Sequence, residues 1–397
     1  MHVNRLVLDQ FRSYRHLDLN LPAEGLRIAG DNGSGKTSLL EAIVMLSTTR
    51  SSRTALDREV VAWESGSDLG VSPYARILAE VETSDGRKSV SIGIELDDAG
   101  ATTVRKAYQV NGESRRAQDL IGVLTCVLFS PEDVDLVTGG PAHRRREIDV
   151  LLSQTDRTYL RSLATYAKVL AQRNQLLRQF ARERRRSRDA GAVTEISFWD
   201  EQLVSSGSVV VAYRHVISSF LGQRVVAHAQ HLMTGGGIGL AYAPRIDLAG
   251  VEAATEVETA LHHVAARFER NLALERENEF RRGMTLVGPH RDDFNFLIHD
   301  RDLNAYGSRG QQRLAVVAFK MACIDVIRAR TGDTPVLLLD DVLSELDARH
   351  RGQLLDSLTT CGCQVLVTST DRDLLDQPHL DDLPLMDARG GSLERVG

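Results

Sequence analysis

Cysteine is scarce in this chain of 397 residues, with only Cys126, Cys323, Cys361 and Cys363 present. Their spacing excludes a zinc module, and the absence of any cysteine between positions 127 and 322 excludes a Cys-x-x-Cys hook in the middle of the chain. The one close pair, Cys361-Gly362-Cys363, reads as a turn before a strand. Long apolar runs are missing too. Nothing approaches the ~18 residues that cross a bilayer, and Met1-His2-Val3-Asn4-Arg5 does not open a secretory segment, so a cytoplasmic protein with no membrane partner is expected. Positive charge is in deficit: 48 Lys and Arg against 54 Asp and Glu leave a net charge of −6. Nucleic-acid affinity must therefore come from local patches and not from bulk electrostatics. Repeats and low-complexity tracts are absent. What is present, a 42% hydrophobic content over this length, supports proper cores and two or three domains.

Lysine is rare, and Lys36 is the only one before Lys88. It sits in Gly30-Asp31-Asn32-Gly33-Ser34-Gly35-Lys36-Thr37, a complete phosphate-binding loop. Glycines let backbone N–H groups converge on phosphate oxygens at a helix N-terminus, where the helix dipole also favours anions. Lys36 would reach the β and γ phosphates of ATP and Thr37 would hold Mg²⁺. The flanks agree, with a short buried strand at Leu26–Ala29 and a helix from Ser38 onward.

The partner motif lies three hundred residues later. Val336-Leu337-Leu338-Leu339-Asp340-Asp341 suits a central parallel strand ending at the carboxyl edge of a sheet, where ligands of α/β folds bind. Asp340 would support the Mg²⁺ shell and Asp341 would orient or deprotonate the attacking water. Between the two motifs stands Ser308-Arg309-Gly310-Gln311-Gln312 at the start of an apolar helical stretch. This run resembles the signature of ABC-type ATPases. The resemblance implies that Ser308, Gly310 and Gln311 of one subunit close over ATP held by another, in an ATP-dependent homodimer. Ser344-Glu345-Leu346-Asp347 resembles the loop that follows the acidic pair in such heads. Thr370 stands where transporter cassettes carry a switch His, and a Thr cannot titrate.

The expected architecture is α/β: an ABC-type head, with a mixed sheet around the phosphate loop and an antiparallel β lobe, carrying an inserted helical arm. Alternation over Arg76–Val81, Ser89–Leu96 and Tyr108–Val110 predicts an antiparallel meander. Apolar residues at steps of three, four or seven from Ile148 to Phe180 and from Val257 to Leu272 predict long amphipathic helices, with a third over 203–232. A short strand near Ile238–Ile246 follows the Gly235-Gly236-Gly237 break. Residues 1–137 and 283–397 would form the two halves of the head and 138–282 the arm. A helix of about 40 residues would reach roughly 60 Å, far short of a chromosome-organising arm. Two arginine runs on it, Arg144-Arg145-Arg146 and Arg184-Arg185-Arg186, read either as DNA phosphate contacts or as solvated faces.

Three strings extend the resemblance to one family: Leu8-Asp9-Gln10-Phe11-Arg12-Ser13-Tyr14, Phe129-Ser130-Pro131-Glu132-Asp133, and Arg282-Gly283-Met284-Thr285-Leu286-Val287-Gly288-Pro289-His290-Arg291-Asp292-Asp293. They make the chain similar to the RecF recombination mediator ATPases of bacteria. The resemblance implies binding of duplex DNA at single-strand gaps when ATP-bound and dimeric. It also implies cooperation with RecR and RecO in placing RecA during repair and replication restart, at the nucleoid. Slow hydrolysis would act as a release step, consistent with Asp341 where ABC heads usually carry the longer Glu. Arg12 and Ser13, just before the loop strand, are candidates for the adenine pocket. The residues of the Gly288–Asp293 string read as either a hinge network or a ligand surface. An ATP-switched interaction protein without direct DNA binding is the alternative reading.

Overall fold

The computed structural model describes residues 1–66, 70–97, 104–233, 237–248, 251 and 256–396. In chain order the elements of the first part are β1 (His2–Phe11), β2 (Tyr14–Asn20), β3 (Gly25–Ala29), α1 (Lys36–Thr48), β4 (Tyr74–Thr83), β5 (Gly86–Leu96), β6 (Val104–Val110), β7 (Glu113–Arg115), α2 (Ala117–Leu120) and β8 (Cys126–Phe129). The middle holds α3 (Asp135–Thr138), α4 (Pro141–Thr155), α5 (Arg157–Arg182), α6 (Ala190–Leu232), β9 (Ile238–Ala243), α7 (Val257–Arg282), β10 (Asp293–Ile298), β11 (Arg301–Asp302) and α8 (Leu303–Tyr306). The last part adds α9 (Arg309–Thr331), β12 (Val336–Asp340), α10 (Ala348–Cys361), β13 (Val365–Ser369), β14 (Leu385–Arg389) and β15 (Ser392–Arg395).

These elements divide into two units. The first comprises Met1–Val134, His231–Thr234 and Arg309–Gly397, the second Asp135–Gln230 and Gly235–Ser308. Against expected arm boundaries at 138 and 282, the second unit runs on through β10 and β11 to Ser308.

In the first unit the two ends of the chain share a six-stranded sheet ordered β15-β14-β3-β13-β12-β8. Its inner strands are parallel, Val365 facing Gly25 and Leu337 facing Val365. Val336, Leu337, Leu338 and Leu339 are all fully buried, as a central strand covered on both faces requires. The predicted meander forms, and β1 and β2 extend it to a second six-stranded sheet, ordered β2-β1-β4-β5-β6-β7. Alternating Leu6, Leu8, Ile77, Ala79, Ile92 and Ile94 turn one face of it into the core that also holds Leu39, Ile43 and Leu366.

The second unit is helical around one small sheet. Asp156 caps α5, accepting from Thr158 N at 2.8 Å and Tyr159 N at 2.9 Å. The third predicted helix starts earlier than the 203 expected, since α6 has 43 residues, about 65 Å at 1.5 Å per residue. Tyr166, Leu203, Val211, Val264 and Phe268 make the shared core. The strand expected over Ile238–Ile246 stops at Ala243 because Pro244 cannot donate to a ladder. It pairs antiparallel with β10, Phe294 facing Tyr242. Gly235 and Gly236 of the predicted break lie outside the described residues. Among the described residues no helix is long and apolar enough to cross a membrane.

Candidate functional site

The phosphate loop links β3 to α1 in the first unit. Gly35 caps α1 at φ 112°, a left-handed value that an L side chain rarely adopts. A Cβ there would also meet Tyr14 Oη at 2.9 Å and Ser13 Oγ at 3.0 Å. Tyr14 is fully buried and its hydroxyl donates to Gly35 O at 3.1 Å, so the second strand buttresses the loop from behind. Burial raises the Tyr14 pKa, keeping it a donor. Asp31, Asn32 and Gly33 are exposed along the loop, whereas Ser34 and Lys36 are buried.

Lys36 Nζ donates to Gly30 O at 2.6 Å and Asp31 O at 2.9 Å. Burial lowers its pKa, and the neighbouring Asp341, Asp340 and Asp31 offset part of that. Thr37 Oγ1 donates to Asp340 Oδ1 at 2.9 Å, closing a contact across 303 positions of sequence. The two expected halves of the site therefore meet. Burial raises the Asp340 pKa, while hydrogen bonds from Thr37 and Thr368 pull it back.

The neighbouring strand β13 supplies hydroxyls that the sequence reading passed over. Thr368, fully buried, donates to Asp340 Oδ1 at 3.1 Å and accepts from Asp341 N at 3.2 Å. Ser369 Oγ donates to Asp341 Oδ1 at 3.2 Å, and Thr370 N donates to the same oxygen at 3.3 Å. At Thr370, the switch position, the contact to Asp341 is made by the backbone N–H. Asp341 itself sits at φ 52°, an αL geometry that turns its carboxylate off the strand line. Only the acidic ends of strands carried a signal in the sequence; Val365–Ser369 reads as a plain buried strand.

Arg12 and Ser13 stand beside the loop. The Arg12 guanidinium is fixed on the buried Glu41 of α1, through Nε to Oε2 at 2.9 Å and Nη2 to Oε1 at 2.6 Å. A further bond runs to Glu59 O at 2.7 Å, so Arg12 presents an edge rather than a mobile side chain. It borders a cleft of about 550 Å³ that Pro73 and Leu96 also line, with the fully exposed Trp63 at its rim.

Ser308, Arg309 and Gly310 are exposed at the N-terminal end of α9, and Gln311 is half-buried. Arg313, one turn on, donates to Glu345 O at 2.8 Å and pairs with the Glu345 carboxylate. The signature helix is thus tied to the loop that follows the acidic pair.

The arginine runs divide sharply. Arg144 is consumed inside its own unit: Nε and Nη2 donate to Asp293 at 2.7 and 2.9 Å, and Nη1 donates to Leu136 O and Gly139 O. Arg145 donates to Asp292 O at 2.7 Å. The side chains of Arg144 and Arg145 are thus engaged within the unit rather than lying on a solvated face; Arg146 is exposed. Arg184 and Arg186 are exposed in the turn between α5 and α6, while Arg185 lies over the Phe180 ring and pairs with Glu195 at 3.0 Å.

The Gly288–Asp293 string explains those contacts. Asp292 is completely buried and accepts from Arg214 Nη1 at 3.3 Å, Tyr242 Oη at 2.5 Å and Arg245 N at 2.8 Å. Arg214, itself buried, also donates to Asp149 at 2.7 Å and Pro289 O at 2.7 Å. Gly288 sits at φ 127°, and a Cβ there would meet Tyr166 Oη at 2.5 Å. Of the two readings, the internal network holds for Asp292, Asp293 and His290. All four cysteines are buried free thiols, and Cys361 ends α10 before a left-handed Gly362.

A family model described as the RecF/RecN/SMC N terminal domain matches residues 2–382. The DNA replication and repair protein RecF of Thermomicrobium roseum is 48% identical over 99% of this chain and 100% of its own length. That of Halalkalibacterium halodurans is 35% identical over 100% of both. Among solved structures, the recombination mediator protein RecF-ATPrS of the RecFOR pathway superposes with a TM-score of 0.83 at 27% identity, covering 100% of this chain and 98% of that one. An Smc head bound to the C-winged helix domain of ScpA matches at a TM-score of 0.54 and 13% identity, covering 100% of this chain and 97% of that one, a likeness of fold. The architecture is that of an ABC-type ATPase head with an inserted helical arm, and the chain belongs to the RecF family.

Proposed function

We propose that this chain is an ATP-switched recombination mediator of DNA replication and repair, as the names of its RecF relatives say of them. The observation that carries the ATP reading is the joined pair of Thr37 and Asp340 beneath a loop in which Gly30 and Gly35 have no room for side chains. The residues fit the nucleotide. Ser34 Oγ is buried in the loop without a hydrogen-bond partner, and Lys36 Nζ donates to two loop carbonyls that a phosphate would replace.

ATP with Mg²⁺ would supply a cleavable γ-phosphate and the charge that Lys36 and the loop N–H groups of residues 33–37 balance. Thr37 and Asp340 would hold the metal, Thr368 keeping the Asp340 carboxylate aimed at it. Asp341, oriented by Ser369 and the Thr370 N–H, would align the attacking water, and its short side chain favours slow turnover suited to release. Arg12 and Ser13 would flank the adenine. The exposed Ser308, with Gly310 and Gln311, would cap the nucleotide of a second copy at a helix N-terminus, making ATP the glue of a homodimer. Arg146, Arg184 and Arg186, all exposed, would contact the phosphates of duplex DNA near gaps. RecR with RecO, and RecA through them, are the protein partners this reading implies.

The test is binding of a gapped duplex by Asp341→Asn, with and without ATP and Mg²⁺, with mass read by light scattering in the same samples. ATP-driven dimerisation together with DNA binding supports the reading. Dimerisation with no DNA binding would leave an ATP-switched interaction protein instead.

A further inference from the structure

The second unit holds a cleft of about 450 Å³ lined by Arg245, Arg282, Arg291, Glu275, Asn278 and Leu286. Three guanidiniums face one carboxylate there, so the cleft is electropositive in a chain whose net charge is −6. All three arginines are exposed. Arg291 is placed by bonds to Thr285 O and Met284 Sδ, both at 3.3 Å. The neutral side of the chemistry is already partnered, with Asn278 donating to Glu275 at 2.9 Å.

Three separate segments deliver these arginines, and buried carboxylates fix each segment. Asp292, immediately after Arg291, holds the Arg245 N–H at 2.8 Å. Glu279, one turn before Arg282, accepts from Leu286 N at 2.8 Å and from the buried Arg173 at 2.6 Å. The backbone around the cleft is therefore set before any ligand arrives, which limits the ordering cost of binding. Among the described residues no aromatic ring lines the cleft, so they offer nothing for a base to stack on. Arginine forks match tetrahedral oxyanions instead. A floor of this size also exceeds one phosphate and suits a stretch of backbone.

Continuity with the arginine-rich end of α5 supports a nucleic-acid source. Gly283, which caps α7 just after Arg282, lies against α5, where an added Cβ would be 3.4 Å from Arg178 Cα and 3.4 Å from Ala181 Cβ. Arg178, Arg182 and Arg282 are all exposed at this meeting of helix ends. A basic band thus leads from the cleft toward Arg184 and Arg186.

We propose that the Arg245–Arg282–Arg291 cleft is a phosphate-binding site that seats the sugar-phosphate backbone of DNA. This rests on the DNA-binding part of the function proposed above. It gives the outward-facing Arg291 of the Gly288–Asp293 string a role, while its inward-facing neighbours hold the frame.

The experiment compares the full chain with the triple variant R245A/R282A/R291A by fluorescence anisotropy on a gapped duplex over a salt series. Each phosphate contact adds about 0.9 to the slope of log K against log salt, so the variant should lose about 2 to 3 from that slope and bind on the order of ten- to hundredfold more weakly. ATP affinity and melting temperature should stay as in the parent. If the triple variant is not folded, Arg282→Glu alone must weaken binding and Arg282→Lys must largely restore it. Equal affinity and slope in parent and variant overturns the site while leaving the proposed function intact. A parent that binds no duplex in any nucleotide state overturns both. In a third arm, pyrophosphate is titrated at constant ionic strength. Binding of pyrophosphate lost in the variant, with DNA affinity unchanged, assigns the cleft to a free anion and overturns the nucleic-acid source.

Discussion

At the scale of single residues, the site depends on second-row hydroxyls as much as on the acids they serve. Thr368 bonds both Asp340 and the Asp341 N–H, so Thr368→Val removes the orienting contacts while keeping shape. Nucleotide affinity should change only a few-fold, because the loop N–H groups and Lys36 remain. Hydrolysis should fall by about tenfold or more, given the sensitivity of rate to small misplacements, and single-turnover phosphate release would measure it. Lys36→Ala should instead abolish ATP binding outright in calorimetry; retained affinity in the millimolar range or tighter would mean the nucleotide sits elsewhere. The contrast tracks what the sequence made legible. Gly30–Thr37 and Asp340-Asp341 announce themselves because glycine spacing and paired acids are rare patterns. Thr368 and Ser369 do not, since a hydroxyl inside Val365–Ser369 looks like any β-branched or small strand residue. Arg144 shows the opposite failure: a run of three arginines looks like a phosphate grip until Asp293, far along the chain, is seen to hold it.

At the scale of elements, the second unit is fastened by ion pairs that few sequences would reveal. Arg173 on α5 is 1% exposed and joins Asp200 of α6 to Glu279 of α7, with Thr285 as a third partner. Helical periodicity located these helices, but it marks apolar stripes and says nothing of an arginine within one. Arg173→Met should cost about 3–5 kcal/mol, since it strands buried carboxylates, and urea unfolding would register it. His290 gives the same network a pH dependence. Its Nδ1 accepts from Tyr166 Oη at 2.6 Å, its Nε2 donates to Thr285 O at 3.2 Å, and burial, with Arg291, Arg145 and Arg173 nearby, lowers its pKa to about 4. A histidine with a depressed folded pKa stabilises fully above its unfolded value near 6.5. That stability is lost as pH falls from there toward 4, because the unfolded chain takes up the proton first, by up to roughly 3 kcal/mol at 1.4 kcal/mol per unit. Melting temperature should therefore drop between pH 7 and 5 in the parent and much less in His290→Asn. Equal drops in both would remove His290 as the cause.

At the scale of the whole molecule, the chain brings its ends together in the order β14-β3-β13-β12, so that residues 30–37 and 340–370 face one another only after the intervening unit has been made. The signature does not share that enclosure. Ser308 and Gly310 are exposed at the N-terminal end of the helix, and Arg313, one turn on, is anchored to Glu345. A helix N-terminus attracts phosphate, and one turned to solvent is suited to the nucleotide of another copy. Ser308→Arg puts a long side chain where the γ-phosphate would approach. The loop of the same chain is untouched by this change, so ATP should bind the monomer with parental affinity. Dimerisation should fail, and light scattering with ATP and Mg²⁺ in an Asp341→Asn background should report monomer mass at every nucleotide concentration. Mixing experiments sharpen the outcome. A Ser308→Arg chain still offers an intact loop to a partner's signature, so equimolar Ser308→Arg and Lys36→Ala chains can rebuild one complete composite site but not two. Weak heterodimers in that mixture, with neither variant dimerising alone, are the signature of a site shared in trans. A Ser308→Arg variant that dimerises with ATP as readily as the parent would place the contact between copies on another surface.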